Sequence, residues 1–300
     1  MNFLVDSSCR AIHVTNMDTF YDRAIDVLKL ESLQKSIVLD IGCGLGHSSM
    51  KLLKLFPSIE RIIGIDKDID VVLKSREVVS DTKIVIQLGD IELGSGLHQY
   101  KNKVSALFST HCFGYLENPN AAFQNVYELL EDGGRAALLF FRKSLYRSFI
   151  IMLRTHPILK TMLMDDGLVF SEYSPITYTP SEYADILRNI GFKIEGCEEV
   201  VKCREYASVE EYKGYIASSI RLKHEATIEK FYLMKKAILE VYMAQYSEIS
   251  DRNLPCFKEV FLQVFISKPK DCEVEKLYFP KEMRLSAKDN AGSDEEQMLF

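Results

Sequence analysis

The chain has 300 residues, 47% hydrophobic and 27% charged, the proportions of an ordinary soluble globular protein. Its formal net charge of −6 leaves no global basic field to gather phosphates, so no nucleic-acid partner is expected. Seven cysteines with no CxxC pair and six scattered histidines argue against a disulfide framework or a metal site, and for a reducing compartment.

The first residues, MNFLVDSSCR, lack the basic-then-apolar order of a secretory signal, and no apolar run reaches the roughly 18 residues of a membrane helix. A cytoplasmic protein without a membrane partner is expected. Apolar runs of strand length then fall at 36–41, 61–65, 83–88, 104–109 and 136–141. Helical patterns lie between them at 47–55, 69–79 and 121–130. The last of these opens on Asn118-Pro119, a cap followed by proline at the first helical position, and is expected to end at Gly133-Gly134. Strands alternating with helices imply a mostly parallel sheet with helices on both faces.

Residues 142–178 change character. They are rich in Leu, Ile, Met, Phe and Tyr, with Arg142, Lys143, Arg147 and Arg154 spaced through them. Thr179-Pro180-Ser181-Glu182 then reads as a capping box that opens a helix, closed by Gly191 in a left-handed position. A strand is expected over 192–201. Ser208-Val209-Glu210-Glu211 opens another helix, and 227–245 forms a longer one. A final strand, 260–267, stops at Lys268-Pro269. Arg221-Leu222-Lys223-His224, the densest basic stretch, reads as a solvated helix face. The expected layout is one domain over 1–285. Its core comprises about 24–141, 179–201 and 259–268, its helical lid about 142–178 and 205–250, and 286–300 form a polar, disordered tail.

The chemistry concentrates at strand ends. Asp40-Ile41-Gly42-Cys43-Gly44-Leu45-Gly46 follows a strand and opens a helix. Glycines there allow a tight turn and close backbone approach to a ligand, beside a helix N-terminus that favours a carboxylate. The spacing is GxGxG, with His47 where a dinucleotide fingerprint has its third glycine. That departure points away from NAD and toward S-adenosylmethionine. Asp66 ends the second strand, where an acceptor can take both ribose hydroxyls. Asp90 follows the third, where it can accept from the adenine amino group. Asp40, Gly42, Cys43, Gly44, Gly46, Asp66, Lys67, Asp90, Ile91 and Ser109 make up the expected cofactor set. Ligands of open parallel sheets bind at this edge.

Across 36–141 these motifs resemble those of class I methyltransferases. More loosely, over about 16–268, the chain resembles juvenile hormone acid methyltransferases and their trans-aconitate methyltransferase relatives. That likeness rests on Ala24-Ile25-Asp26-Val27-Leu28, Leu107-Phe108-Ser109 with Cys112, and Asn125-Val126-Tyr127-Glu128-Leu129-Leu130-Glu131-Asp132-Gly133-Gly134. It continues through Thr155-His156-Pro157, Tyr173-Ser174-Pro175 and Leu187-Arg188-Asn189-Ile190-Gly191-Phe192. The chain departs from that group in carrying Phe20 in place of glutamine and Gly114-Tyr115 in place of His-Trp. The resemblance implies an α/β, Rossmann-like, seven-stranded mostly parallel sheet with an α-helical cap, and S-adenosylhomocysteine as the product of the cofactor.

Phe20, Tyr21, His111, Tyr115 and Arg142 are the candidate substrate residues. Phe20 and Tyr21 either close over the cofactor or form the packing face of an N-terminal helix. His111 is a general base, a hydrogen-bond partner of substrate or a packed histidine; no other residue stands out as catalytic. Arg142 either pairs with a substrate carboxylate through its planar fork or is a surface charge. The expected reaction is O-methylation of a small, largely apolar acid such as a juvenile hormone acid or farnesoic acid. Methylation of protein or RNA, and cofactor binding without turnover, are the alternatives.

Overall fold

In a computed structural model of the chain, the described residues are 7–30, 33, 34, 36–143, 178–219, 228–245 and 247–270, with 148, 152, 155–157 and 159. Helix α1 (Ser7–Leu28) precedes a run of β1 (Ile37–Ile41), α2 (His47–Leu55), β2 (Arg61–Asp66), α3 (Ile69–Val78), β3 (Ile84–Leu88) and β4 (Val104–Thr110). Then follow α4 (Pro119–Leu129), β5 (Leu130–Lys143), α5 (Pro180–Ile190), β6 (Lys193–Glu205), α6 (Val209–Ser219) and α7 (Ile228–Gln245). The two-residue β7 (Glu248–Ile249) and β8 (Pro255–Ser267) complete the described elements.

The strands form one sheet in the order β3-β2-β1-β4-β5-β8-β6, with β7 paired to β8. β1 to β5 are mutually parallel, and β8 runs antiparallel between β5 and β6. The expected α/β class holds, with β7 as an added short strand.

Alternation along the strands feeds two cores. In β5, Leu138 and Phe140 join Leu107, Phe123, Leu187 and Leu262 on the face covered by α4 and α5. Ala137 and Leu139 join Phe20, Tyr21, Leu52, Val72, Phe108 and Phe265 on the face covered by α1, α2 and α3. A third cluster, with Tyr206, Tyr212, Ile216, Ile238, Tyr242 and Phe257, ties α6 and α7 to the far ends of β6 and β8.

Local signals account for the helix starts. Asn118 Oδ1 accepts from the Ala121 N–H at 3.0 Å with Pro119 next. Thr179 and Glu182 form the expected capping box, and Gly191 closes α5 at φ +112°.

Three boundaries differ from expectation. α4 stops at Leu129, and Gly133-Gly134 lies inside β5, where the pairing with β4 shifts between Val104 and Ala106. Gly134 is needed there because a Cβ would stand 2.7 Å from the Glu131 carbonyl oxygen and 2.8 Å from that of Val104. β6 runs on to Glu205 and β8 begins at Pro255, so residues 202–205 and 255–259 belong to the sheet. Most of the expected lid segment 142–178, and the expected tail 286–300, lie outside the described residues. Among the described residues no helix is long and apolar enough to cross a membrane.

Candidate functional site

β1 ends in a loop folded over the end of β2. The Gly42 and Cys43 N–H groups both donate to the Ile65 carbonyl, at 2.8 and 3.0 Å. Gly42 sits at φ +71°, and a Cβ there would lie 2.4 Å from Cys112 Cβ, so loop and β4 end approach as only glycine permits. Gly44, at φ +55°, has no atom within 4 Å of a would-be Cβ. Its open side faces no protein. Gly46 caps α2 from a left-handed conformation.

Two carboxylates organise this loop. Asp66 accepts the Gly44 N–H at 3.1 Å on Oδ2 and the Asp68 N–H at 3.0 Å on Oδ1. Asp40 is 1% exposed. Its Oδ2 accepts from the Ser48 and Ser49 hydroxyls, each at 2.6 Å, while its buried Oδ1 has no hydrogen-bond partner. Burial pushes the Asp40 carboxyl up to about 6; the two serine hydroxyls pull it down, and the charge of Asp66 pushes it further up. Burial and the charges of Asp40 and Asp66 raise the Cys43 thiol in turn. Burial likewise pushes the Cys112 thiol up to about 12, so neither thiol is a thiolate near neutral pH.

The remaining cofactor candidates fall into two groups. Asp90 caps its own turn, its Oδ1 accepting from the Glu92 N–H at 2.8 Å. Lys67 is exposed beside Asp66. Ile91 is buried in the core with Leu97, and Ser109 donates to the Ile41 carbonyl at 2.8 Å, joining β4 to β1. The side chains of Ile91 and Ser109 are therefore spent on core packing and on the junction of β4 with β1.

At the end of β4, His111 takes a left-handed backbone, φ +62°, held by its N–H to the Leu139 carbonyl at 2.7 Å. Its ring lies 5.0 Å from that of Phe141 and 5.8 Å from that of Phe261. Tyr115 ends the short helical turn that follows and is 41% exposed. A Cβ on Gly114 would stand 2.7 Å from the Phe141 carbonyl oxygen, which explains the small residue there.

Phe20 takes the packing alternative: it is fully buried and stacked on Phe265 at 5.8 Å. Tyr21 packs edge-on to Phe108 at 5.8 Å. Burial, and next the charge of Asp40, raise its phenol. Arg142 is ion-paired with Glu199 of β6, so a substrate carboxylate there has to exchange with Glu199. The sequence carried no long-range signal for Glu199. Ser48 and Ser49 were the legible omission, since they occupy the first turn after a glycine loop whose acid they bind.

The methyltransferase domain family matches residues 38–134. A malonyl-(acyl-carrier protein) O-methyltransferase of Ilyobacter polytropus is 24% identical over 217 residues, covering 70% of this chain and 73% of the relative. The juvenile hormone acid O-methyltransferase of Drosophila melanogaster is 24% identical over 177 residues, covering 57% of this chain and 59% of the relative. Two solved structures share the fold. A Bacillus halodurans protein described as a methyltransferase superposes with a TM-score of 0.53 at 15% identity, covering 83% of this chain and all (100%) of that one. A Galdieria sulphuraria protein described as a sarcosine dimethylglycine methyltransferase gives 0.52 at 13% identity, covering 84% and 86%. Residues 38–134 thus match the methyltransferase domain family, and the chain shares its fold with solved proteins described as methyltransferases.

Proposed function

We propose that this enzyme methylates the carboxylate of a small, largely apolar acid. The observation that carries the proposal is His111: a hydrogen-bonding side chain at the end of β4, packed against the contacting rings of Phe141 and Phe261. Such a wall suits an acceptor with one polar end and an apolar body. The names of both relatives support it, since each is an O-methyltransferase of an acid, malonyl on its carrier or juvenile hormone acid.

The residues present fit the cofactor. The buried Asp40 Oδ1 without a partner would accept from the ammonium group of the methionine end, and the open side of Gly44 gives that end room. Asp66, already holding the loop through Gly44, would take the ribose hydroxyls. Asp90, with Lys67 and Cys43 nearby in the loop set, would border the adenosine. When bound, the cofactor supplies a methyl group on a positively charged sulfur.

The chain's own work is alignment. A carboxylic acid with an ordinary pKa of about 4 is ionised near neutral pH and needs no base. Donation from the His111 ring to one carboxylate oxygen would leave the other in line for transfer, and the aromatic wall would exclude water. Tyr115 stands exposed at the mouth, and α6 and α7 would cover the acceptor as part of a lid within a single domain.

The test is purified protein with labelled cofactor and a panel of isoprenoid, fatty and tricarboxylic acids. A base-labile methyl ester is expected from at least one isoprenoid or fatty acid. Cofactor binding with no ester from any acid overturns the proposal.

A further inference from the structure

A cavity of about 250 Å³ lies at the C-terminal end of β5, lined by Lys143, Ser148, Tyr242, Gln245, Ser247 and Glu248. Every one of these side chains carries a hydrogen-bonding group. Lys143 and Glu248 are ion-paired, so their charges cancel. Ser247 donates to the Met243 carbonyl at 2.7 Å, and the Tyr242 and Tyr212 hydroxyls lie 3.3 Å apart. The lining is polar yet neutral overall.

The cavity's position ties it to the reaction edge. β5 lies beside β4, and Lys143 follows Phe141, whose ring touches His111, by two residues. Two strand residues span at most about 7 Å, and the pairing with β8 shifts between Phe141 and Lys143, so the two places lie within the length of a short carbon chain. Its size is that of about eight waters at roughly 30 Å³ each. Pockets that take a whole drug-sized ligand are larger, about 300–1,000 Å³. It therefore suits one end of a substrate.

We infer that this cavity receives the far end of the acceptor, and that this end bears an uncharged hydrogen-bonding group such as a hydroxyl, ketone or amide. The inference rests on the carboxylate reading above and narrows its substrate class. A hydrocarbon end would strip water from the Lys143–Glu248 pair and from Gln245 and return no hydrogen bond. A second carboxylate would lose its water with no net positive charge in return, since Lys143 is already paired with Glu248. A neutral donor or acceptor meets neither penalty.

The experiment compares three medium-chain acids of equal length as methyl acceptors of the full chain: ω-hydroxylated, unsubstituted and α,ω-dicarboxylic. The ω-hydroxy acid is expected to show kcat/KM at least about tenfold above the other two. Gln245→Leu and Ser247→Ala, checked for an unchanged melting temperature, are expected to remove most of that advantage by raising KM for the hydroxy acid alone. Their kcat on the hydroxy acid should stay at the level of the parent chain, and Gln245→Leu should bring kcat/KM for the unsubstituted acid closer to that of the hydroxy acid. Equal use of all three acids, preference for the unsubstituted or dicarboxylic acid, or undiminished discrimination in both variants overturns this inference alone. Absence of an ester from any acid, with cofactor bound, overturns the carboxylate reading along with it.

Discussion

The two edges of the sheet use the same residue types to opposite ends. At the edge where β1, β2 and β4 finish, Asp40 keeps a buried oxygen without a partner and Gly44 faces open space. At the other edge, Lys268 is 9% exposed and donates to the Asn102 side chain at 2.7 Å and the Leu130 carbonyl at 2.9 Å. It also faces Asp132 at 3.5 Å and lies over the Tyr127 ring at 4.9 Å. Its backbone closes the same corner, exchanging hydrogen bonds with Gly133 and Gly134. One edge thus leaves a buried acceptor and open space unused at some cost in stability, whereas the other is saturated and holds the sheet together.

Substitutions at the saturated edge should cost folding and spare binding; those at the open edge should do the reverse. The largest effect is expected from Lys268→Met, which removes two hydrogen bonds of a charged donor, one of them to the carbonyl of buried Leu130. Stability in urea should fall by about 3 kcal/mol, with cofactor affinity unchanged within about twofold by calorimetry. Coupled losses would erase the contrast.

Asp66→Ala is next. Loss of a charged acceptor for the ribose, and of the bond that poses Gly44, should weaken cofactor binding about a hundredfold. A change below about threefold would remove Asp66 from the site. The glycines sharpen the comparison further. Gly42→Ala meets both a left-handed backbone and Cys112, whereas Gly44→Ala meets the backbone alone. Gly42→Ala should be the less stable variant by about 2 kcal/mol. Equal melting curves would show that the Cys112 contact yields freely.

The smallest effect is in pH. Asp40 titrates at about 6 in the fold, and a cationic partner requires its ionised form. Cofactor affinity should therefore drop about tenfold between pH 7 and pH 5, and Asp40→Asn should flatten that profile. Stability without cofactor moves the other way. With its pKa raised, the folded state binds this proton more tightly than the unfolded chain does. The contribution of Asp40 to stability thus rises as pH falls through about 6 and levels off below about 4. Parallel pH curves with and without cofactor would contradict that assignment.

Local signals were legible because the physics that sets them is local. The glycine loop, Asn118-Pro119 and the Thr179 capping box each act within a few residues, and each is found where the pattern put it. Gly133-Gly134 misled because glycine ends helices and also permits strand irregularities, and only the approach of Val104 and Lys268 decides between them. The extra length of β6 was hidden for another reason. Lys202, Cys203, Arg204 and Glu205 have no strand-like apolar alternation, and they become a strand through pairing with residues 256–259. The pairings Arg142–Glu199 and Lys268–Asn102 join positions far apart in sequence, and no spacing rule reaches that far.

The place of β8 has a consequence for how the chain is made. It is the last described strand in sequence, yet it lies between β5 and β6, and among the described strands β6 pairs with it alone. During synthesis, one edge of β5 and the whole of β6 must wait for residues 255–267 to emerge from the ribosome. Until then they present bare backbone to any neighbouring strand, the condition under which nascent chains join one another. A chaperone that shields the β5 edge would cover that backbone for as long as the wait lasts.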